Sequence, residues 1–186
     1  MGGGKVILLN GVSGSGKTTL ARELQKQSEE LLFRVSVDDF CHMLPAKSMC
    51  MTNIERGIDV MFRTVRTICE SGFSVVVDAV ILAHMNAWNA LMEHLDGIPV
   101  LLVRVQCPSG ELLRRETQRG DRSMGQGEAQ LAWLFPGAGY ELVVDTFERP
   151  CEECSVRILA ELDSARPLDP RGYPSLERAR EGVHSS

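Results

Sequence analysis

The sequence has no long hydrophobic run, no excess of positive charge and no metal-binding pattern among its histidines, and each lack closes off a class of function. Near the N-terminus the apolar run reaches only from Val6 to Leu9 before polar residues and glycines intervene. A membrane-spanning helix needs roughly 20 apolar residues, and this stretch also lacks the apolar region of a signal peptide. A cytoplasmic protein with no membrane partner is expected. Lys and Arg number 20 against 25 Asp and Glu, a net charge of −5, which gives no general attraction to phosphate backbones. No nucleic-acid partner is expected. The four histidines, at 42, 84, 94 and 184, have no metal-ligand spacing among themselves or with the cysteines, so no zinc site is expected. The six cysteines stand mostly in apolar or helical patterns, unlike the framework of a short secreted scaffold. Reduced thiols follow. No internal repeat is visible.

What is present suits a single globular domain, with 44% hydrophobic and 24% charged residues in a chain of 186. Runs rich in Val, Leu and Ile at 5–10, 33–37, 73–78, 99–106 and 140–145 predict strands. Between them, helical spacing covers 17–30, 53–71, 84–95, 109–119, 126–134 and 151–163. Continuous apolar strands alternating with helices predict an α/β fold of three layers, a five-stranded parallel sheet flanked by helices. The domain is read as residues 1–163. From Ser164 onward the chain carries three prolines and few apolar residues, which predicts a polar tail over 164–186 that adds no strand. Leu168, Tyr173 and Leu176 are the residues through which it could pack on the domain.

Residues 11–18, Gly11-Val12-Ser13-Gly14-Ser15-Gly16-Lys17-Thr18, satisfy the phosphate-binding pattern G-x-x-x-x-G-K-[ST] and lie between an apolar strand and a helix. Glycines let backbone N–H groups turn inward around a polyphosphate, and the helix that follows presents its positive end. Lys17 is expected to place its charge on the β- and γ-phosphates and to stand clear of the core; Thr18 is expected to ligate Mg²⁺. Thr19 and Arg115 complete the expected nucleotide-binding set, with ATP and Mg²⁺ as the groups bound. No guanine-reading N-K-x-D is present, so the GTPase reading falls, and a chain this small with acidic and arginine-rich segments in order suits a small-molecule kinase.

Phosphoryl transfer requires an aligned hydroxyl, a metal and cations around the travelling group. Asp38 and Asp39 follow the second strand, at the sheet edge where α/β proteins bind ligands. Asp38 is read as the base that receives or orients the acceptor hydroxyl, and Asp39 as the cap of the next helix, ahead of Phe40 and Met43. Asp78 closes the third strand, where it holds the magnesium shell or contacts substrate, the alternative being a turn former. Arg115, Arg119 and Arg122 are spaced i, i+4, i+7, so a helix aligns them on one face. Gly120 supplies a hinge, which makes them a phosphate-binding lid with Arg119 and Arg122 catalytic; the alternative is a solvated helix face. Cys151 and Cys154 follow Pro150 and are read as a helix start with one thiol against the core, not as a redox pair. Trp88 is assigned to the core, and Trp133, beside Phe135 and Pro136, to a substrate cavity.

With these residues placed, the sequence resembles the chloramphenicol phosphotransferase family of P-loop kinases from about Val6 to Leu162. Besides the loop, the resemblance rests on Asp38 with Pro45 beyond it, Asp78, the string Arg115-Glu116-Thr117 followed by Arg119-Gly120-Asp121-Arg122, Gly137, Tyr140 and Val144-Asp145-Thr146. It implies ATP-dependent phosphorylation of a hydroxyl on an antibiotic-like or related small molecule, with Asp38 in the place of the family's catalytic base. Two positions depart from the family pattern: Ala79 stands where a second aspartate is expected, and Phe135 where a histidine is. The reaction therefore carries over more safely than chloramphenicol itself. Two other readings stay open. A nucleoside or polynucleotide 5′-hydroxyl kinase acting on a polynucleotide would need a basic groove, and a non-catalytic module would bind ATP without acceptor-dependent release of ADP.

Overall fold

The structure is a computed structural model that describes residues 3–82, 86–118, the backbone of 119, 125–131, 134 and 139–168. In chain order the elements are β1 (Val6–Asn10), α1 (Lys17–Gln27), β2 (Leu32–Ser36), α2 (Val37–His42), α3 (Met51–Glu70), β3 (Ser74–Ala79), α4 (Ala87–His94), β4 (Pro99–Gln106), α5 (Ser109–Arg119), α6 (Gln126–Leu131), β5 (Leu142–Asp145), α7 (Cys151–Glu161) and β6 (Arg166–Pro167). The sheet order is β2-β3-β1-β4-β5, with all four pairings along it parallel.

Because side chains alternate along a strand, a strand covered on both faces must be apolar throughout. In β1, Val6 and Leu8 join one core with Phe62 and Val65 of α3 and Trp88 and Leu91 of α4. Ile7 and Leu9 join the opposite core with Leu20 and Leu24 of α1 and Ile158 of α7. Three layers result, as the alternation of strand and helix predicts, and Trp88 lies in the core as assigned. Burying each large side chain of this kind contributes roughly 1.5–3 kcal/mol.

The chain leaves β1 through α1 toward the β2 edge and leaves β4 through α5 toward the β5 edge. β1 and β4 are neighbours, so their carboxyl ends open a crevice where the connections diverge, the usual ligand position in such sheets.

Two expectations are corrected. β2 ends at Ser36, and Val37 already belongs to α2. After Ser164 the chain does add a strand: Arg166–Pro167 pairs antiparallel with Pro99 and Val100 of β4. Proline gives no N–H to a ladder, and a short edge strand tolerates that loss. Leu168 then packs against the core. Tyr173 and Leu176 lie outside the described residues. Among the described residues, no helix is long and apolar enough to cross a membrane.

Candidate active site

The loop after β1 is shaped by two glycines in the left-handed region, Gly14 at φ 79° and Gly16 at φ 91°, a conformation costly for any residue with a Cβ. Gly11 is required for a different reason: a Cβ there would lie 2.5 Å from the carbonyl oxygen of Val105. The loop therefore presses against β4 while turning its backbone toward the crevice. Gly16 is also the N-terminal cap residue of α1 and supplies no side-chain bond to the cap, so the first N–H groups of α1, which have no partner within the helix, receive none from the cap residue's side chain, and such a terminus suits an anion.

Lys17 opens α1 and is only 7% exposed, its Nζ donating to Val12 O at 2.9 Å. This corrects the expectation that it stands clear of the core. The lysine stem is packed while its ammonium group is held at the loop. Thr18 Oγ1 donates to Asp78 Oδ2 at 2.6 Å, tying the start of α1 to buried Asp78 near the end of β3. Ala79 follows it, also buried and also lining the cleft.

Arg115 braces the loop from α5. Its guanidinium donates to Gly14 O at 3.2 Å, to Thr146 Oγ1 at 3.0 Å and to Thr146 O at 3.1 Å. Thr146, just past β5, donates in turn to Ser15 O at 2.7 Å. Glu111 accepts from Arg114 at 2.6 Å and from Arg115 at 2.8 Å. These two guanidinium groups hold its carboxyl down to about 2, so Glu111 keeps its charge well below the usual carboxylate range.

Asp38 stands exposed on α2 and faces the same cleft as Lys17 and Asp78. Asp39 does not cap α2. The cap is Ser36, whose Oγ accepts from Asp39 N at 3.1 Å. Because β2 stops one residue early, both aspartates fall in the first helical turn, where carboxylates suit the helix dipole. Asp39 instead accepts from Arg34 Nη2 at 2.7 Å.

These groups share one cleft of about 640 Å³. Gly14, Gly16, Lys17, Thr18, Arg115 and Thr146 line it together, and Thr19 also reaches it. Asp38 and Asp78 line it as well, as does an apolar set of Val37, Met49, Met51, Ile54, Val80 and Leu82. Sequence reasoning missed that apolar set, although Met49 and Met51, both exposed, are methionines with no core to fill. It also missed Asn10. Fully buried, Asn10 donates to Tyr140 Oη at 2.9 Å and Ile81 O at 3.3 Å and accepts from Ile81 N at 2.9 Å. A lone asparagine closing an apolar buried strand was the available signal.

Cys151 opens α7 and Cys154 is buried against the carbonyls of Asp145 and Arg149. Burial pushes both thiols up, and none of the six cysteines forms a disulfide. Among the described residues no cluster of three or more His, Cys, Asp and Glu could hold a metal by itself. The Arg119 side chain, Gly120, Arg122, Trp133, Phe135 and Gly137 lie outside the described residues.

A family model described as chloramphenicol phosphotransferase-like protein matches residues 4–163. A Mycobacterium tuberculosis (strain H37Rv) protein named "Putative O-phosphotransferase Rv2636" is 27% identical over 177 residues, covering 81% of this chain and 78% of that protein. Among solved structures, the Mycobacterium tuberculosis APS kinase CysC in complex with AMPPNP and APS superposes with a TM-score of 0.67 at 17% identity, covering 88% of this chain and 99% of that one. The Deinococcus radiodurans tunicamycin resistance protein gives a TM-score of 0.67 at 19% identity, covering 89% and 99%. At such identities these two structures show a shared P-loop kinase fold.

Proposed function

The chain belongs to the chloramphenicol phosphotransferase-like family, a family of small-molecule phosphotransferases, and from that premise we propose that it transfers the γ-phosphoryl group of ATP to a hydroxyl of an antibiotic-like or related acceptor. The observation that carries this reading is the single cleft shared by the phosphate-binding loop, two carboxylates and an apolar set of side chains. Phosphates suit one part of such a cleft, and a mostly apolar molecule bearing a hydroxyl suits the other.

A nucleotide fits the residues present, since left-handed Gly14 and Gly16 line the cleft with their backbone and α1 begins there with its first N–H groups unsatisfied within the helix. Gly11 through Thr19 would hold the phosphates, with Lys17 exchanging Val12 O for phosphate oxygens and Arg115 beside Gly14. Thr18 and Asp78 would hold Mg²⁺, which supplies charge neutralisation on the phosphates when bound. Asp38 accepts the proton of the acceptor hydroxyl as its oxygen forms a bond to the γ-phosphorus and the bond from that phosphorus to the bridging oxygen of ADP breaks. Arg119 and Arg122 are assigned to the charge that develops on the travelling group.

Asp78→Asn keeps a hydrogen-bond acceptor for Thr18 and removes a charge. Its requirement for Mg²⁺ is expected to rise roughly 10–100-fold with the fold retained, on the scale of lost support around a metal ion. A magnesium titration of ADP release checks this, and an unchanged requirement would make Asp78 a structural partner of Thr18 only.

The function itself is tested by screening hydroxyl-bearing antibiotics, nucleosides and sugars for acceptor-dependent ADP release, with mass spectrometry for an added phosphate. Release and phosphorylation with a hydroxylated antibiotic-like compound support the proposal. Response to nucleosides alone would make the chain a nucleoside kinase, and ATP binding without any such response would make it a non-catalytic module.

A further inference from the structure

Nothing in the phosphate-binding pattern explains Gly127 and Gln130, which lie three residues apart on α6 and so share one of its faces. Their contacts do. Gly127 is buried, and a Cβ on it would stand 2.6 Å from the carbonyl oxygen of Ser13, closer than a real side-chain carbon comes to an oxygen. Gln130 Oε1 accepts from Ser13 N at 2.7 Å. α6 thereby engages both backbone groups of the third residue of the loop. It is itself fastened to α5, where buried Glu116 accepts from Gly125 N at 2.8 Å and Gly127 N at 2.7 Å. The preceding residue of α5, Arg115, donates to Gly14 O.

We infer that Gly127 and Gln130 clamp Ser13 and hold the phosphate-binding loop in its working shape before a nucleotide arrives, with Gln130 as a positioning residue. A loop of alternating glycines is costly to order, and ordering it in advance removes that cost from binding. Gln130 lines the nucleotide cleft, so its amide accepts the Ser13 N–H without placing a negative charge beside phosphates. The clamp stands on contacts within the chain; only its effect on affinity rests on the proposed ATP reading.

The test is hydrogen exchange on the nucleotide-free full chain, read in the peptide spanning residues 11–19, together with ATP and ADP titrations. Gln130→Ala is expected to exchange about tenfold faster in that peptide, with the sheet unchanged, and to bind ATP about tenfold more weakly, the scale of one buried hydrogen bond lost. Gln130→Glu still offers an acceptor to Ser13 N, so exchange stays at the unsubstituted rate while ATP binding weakens more than ADP binding. Gly127→Ala accelerates exchange in the same peptide, and adding Gln130→Ala to it is expected to bring less than the sum of the two single effects, because the two contacts hold the same residue, Ser13, and losing either one loosens the other. Unchanged exchange in Gly127→Ala and Gln130→Ala, or equal acceleration in Gln130→Glu, would overturn the clamp. Should Gln130→Ala not fold, Gln130→Glu and Gly127→Ala decide by the same readings. Failure of the unsubstituted chain to bind ATP would contradict the proposed function and leave the exchange rates to judge the clamp.

Discussion

Asp38→Asn is expected to lose roughly 10²–10⁴ in kcat, the range associated with a positioned general base, while ATP affinity and thermal stability stay close to those of the unsubstituted chain. Asparagine keeps the shape and a hydrogen-bond acceptor but removes the charge and most of the basicity. The structure makes this substitution easier to interpret than the sequence did. Capping of α2 belongs to Ser36, so Asp38→Asn disturbs no cap, and the exposed side chain supports no core. Asp39→Asn weakens a partly exposed ion pair with Arg34, worth about 0–1 kcal/mol, and is expected to retain near-normal kcat. Steady-state kinetics on both variants, with thermal melts, decide the matter. Near-normal kcat for Asp38→Asn together with a large loss for Asp39→Asn would move the base to Asp39.

Lys17→Ala is expected to lose on the order of 10²–10³ in turnover, the scale of removing one preorganised donor from a developing charge. It also removes the bond to Val12 O and the packing of a stem that is 7% exposed, so a stability loss of about 1 kcal/mol accompanies it. Lys17→Met separates the two effects. The methionine side chain refills much of the stem volume without a charge, and is expected to match Lys17→Ala in lost turnover while melting closer to the unsubstituted chain. Unfolding of both variants, or turnover recovered in Lys17→Met, would show that the lysine acts through packing and not through phosphate.

What the sequence disclosed is what its chemistry encodes locally. Gly11 to Thr18 carry their meaning in spacing alone, and β1, β3 and β4 each hold an unbroken apolar stretch, at 6–9, 75–77 and 100–103, because both of their faces are covered. Asp78 was legible because it closes such a run. The cap of α2 was not, since the choice between Ser36 and Asp39 turns on a strand ending one residue sooner, a matter of pairing with β3. The burial of Lys17 depends on how the loop folds back on Val12. Thr146 on Ser15, Gln130 on Ser13 and Tyr140 on Asn10 join residues more than a hundred positions apart, and no local pattern marks such partners. β6 was missed because the segment from Ser164 onward carries three prolines and few apolar residues, a composition that argues against a strand, while its pairing with Pro99 and Val100 of β4 is a long-range contact that composition does not show.

In the proposed reaction this cleft moves a phosphoryl group from ATP to a small hydroxylated molecule. The most direct measurement incubates the chain with Mg²⁺, ATP labelled in its γ-phosphate and an acceptor found by the ADP-release screen, then follows where the label goes. The label is expected on the acceptor hydroxyl, in step with ADP formed, and to be nearly lost from it in Asp38→Asn. Label appearing only as inorganic phosphate, at a rate indifferent to the acceptor, would contradict the claim.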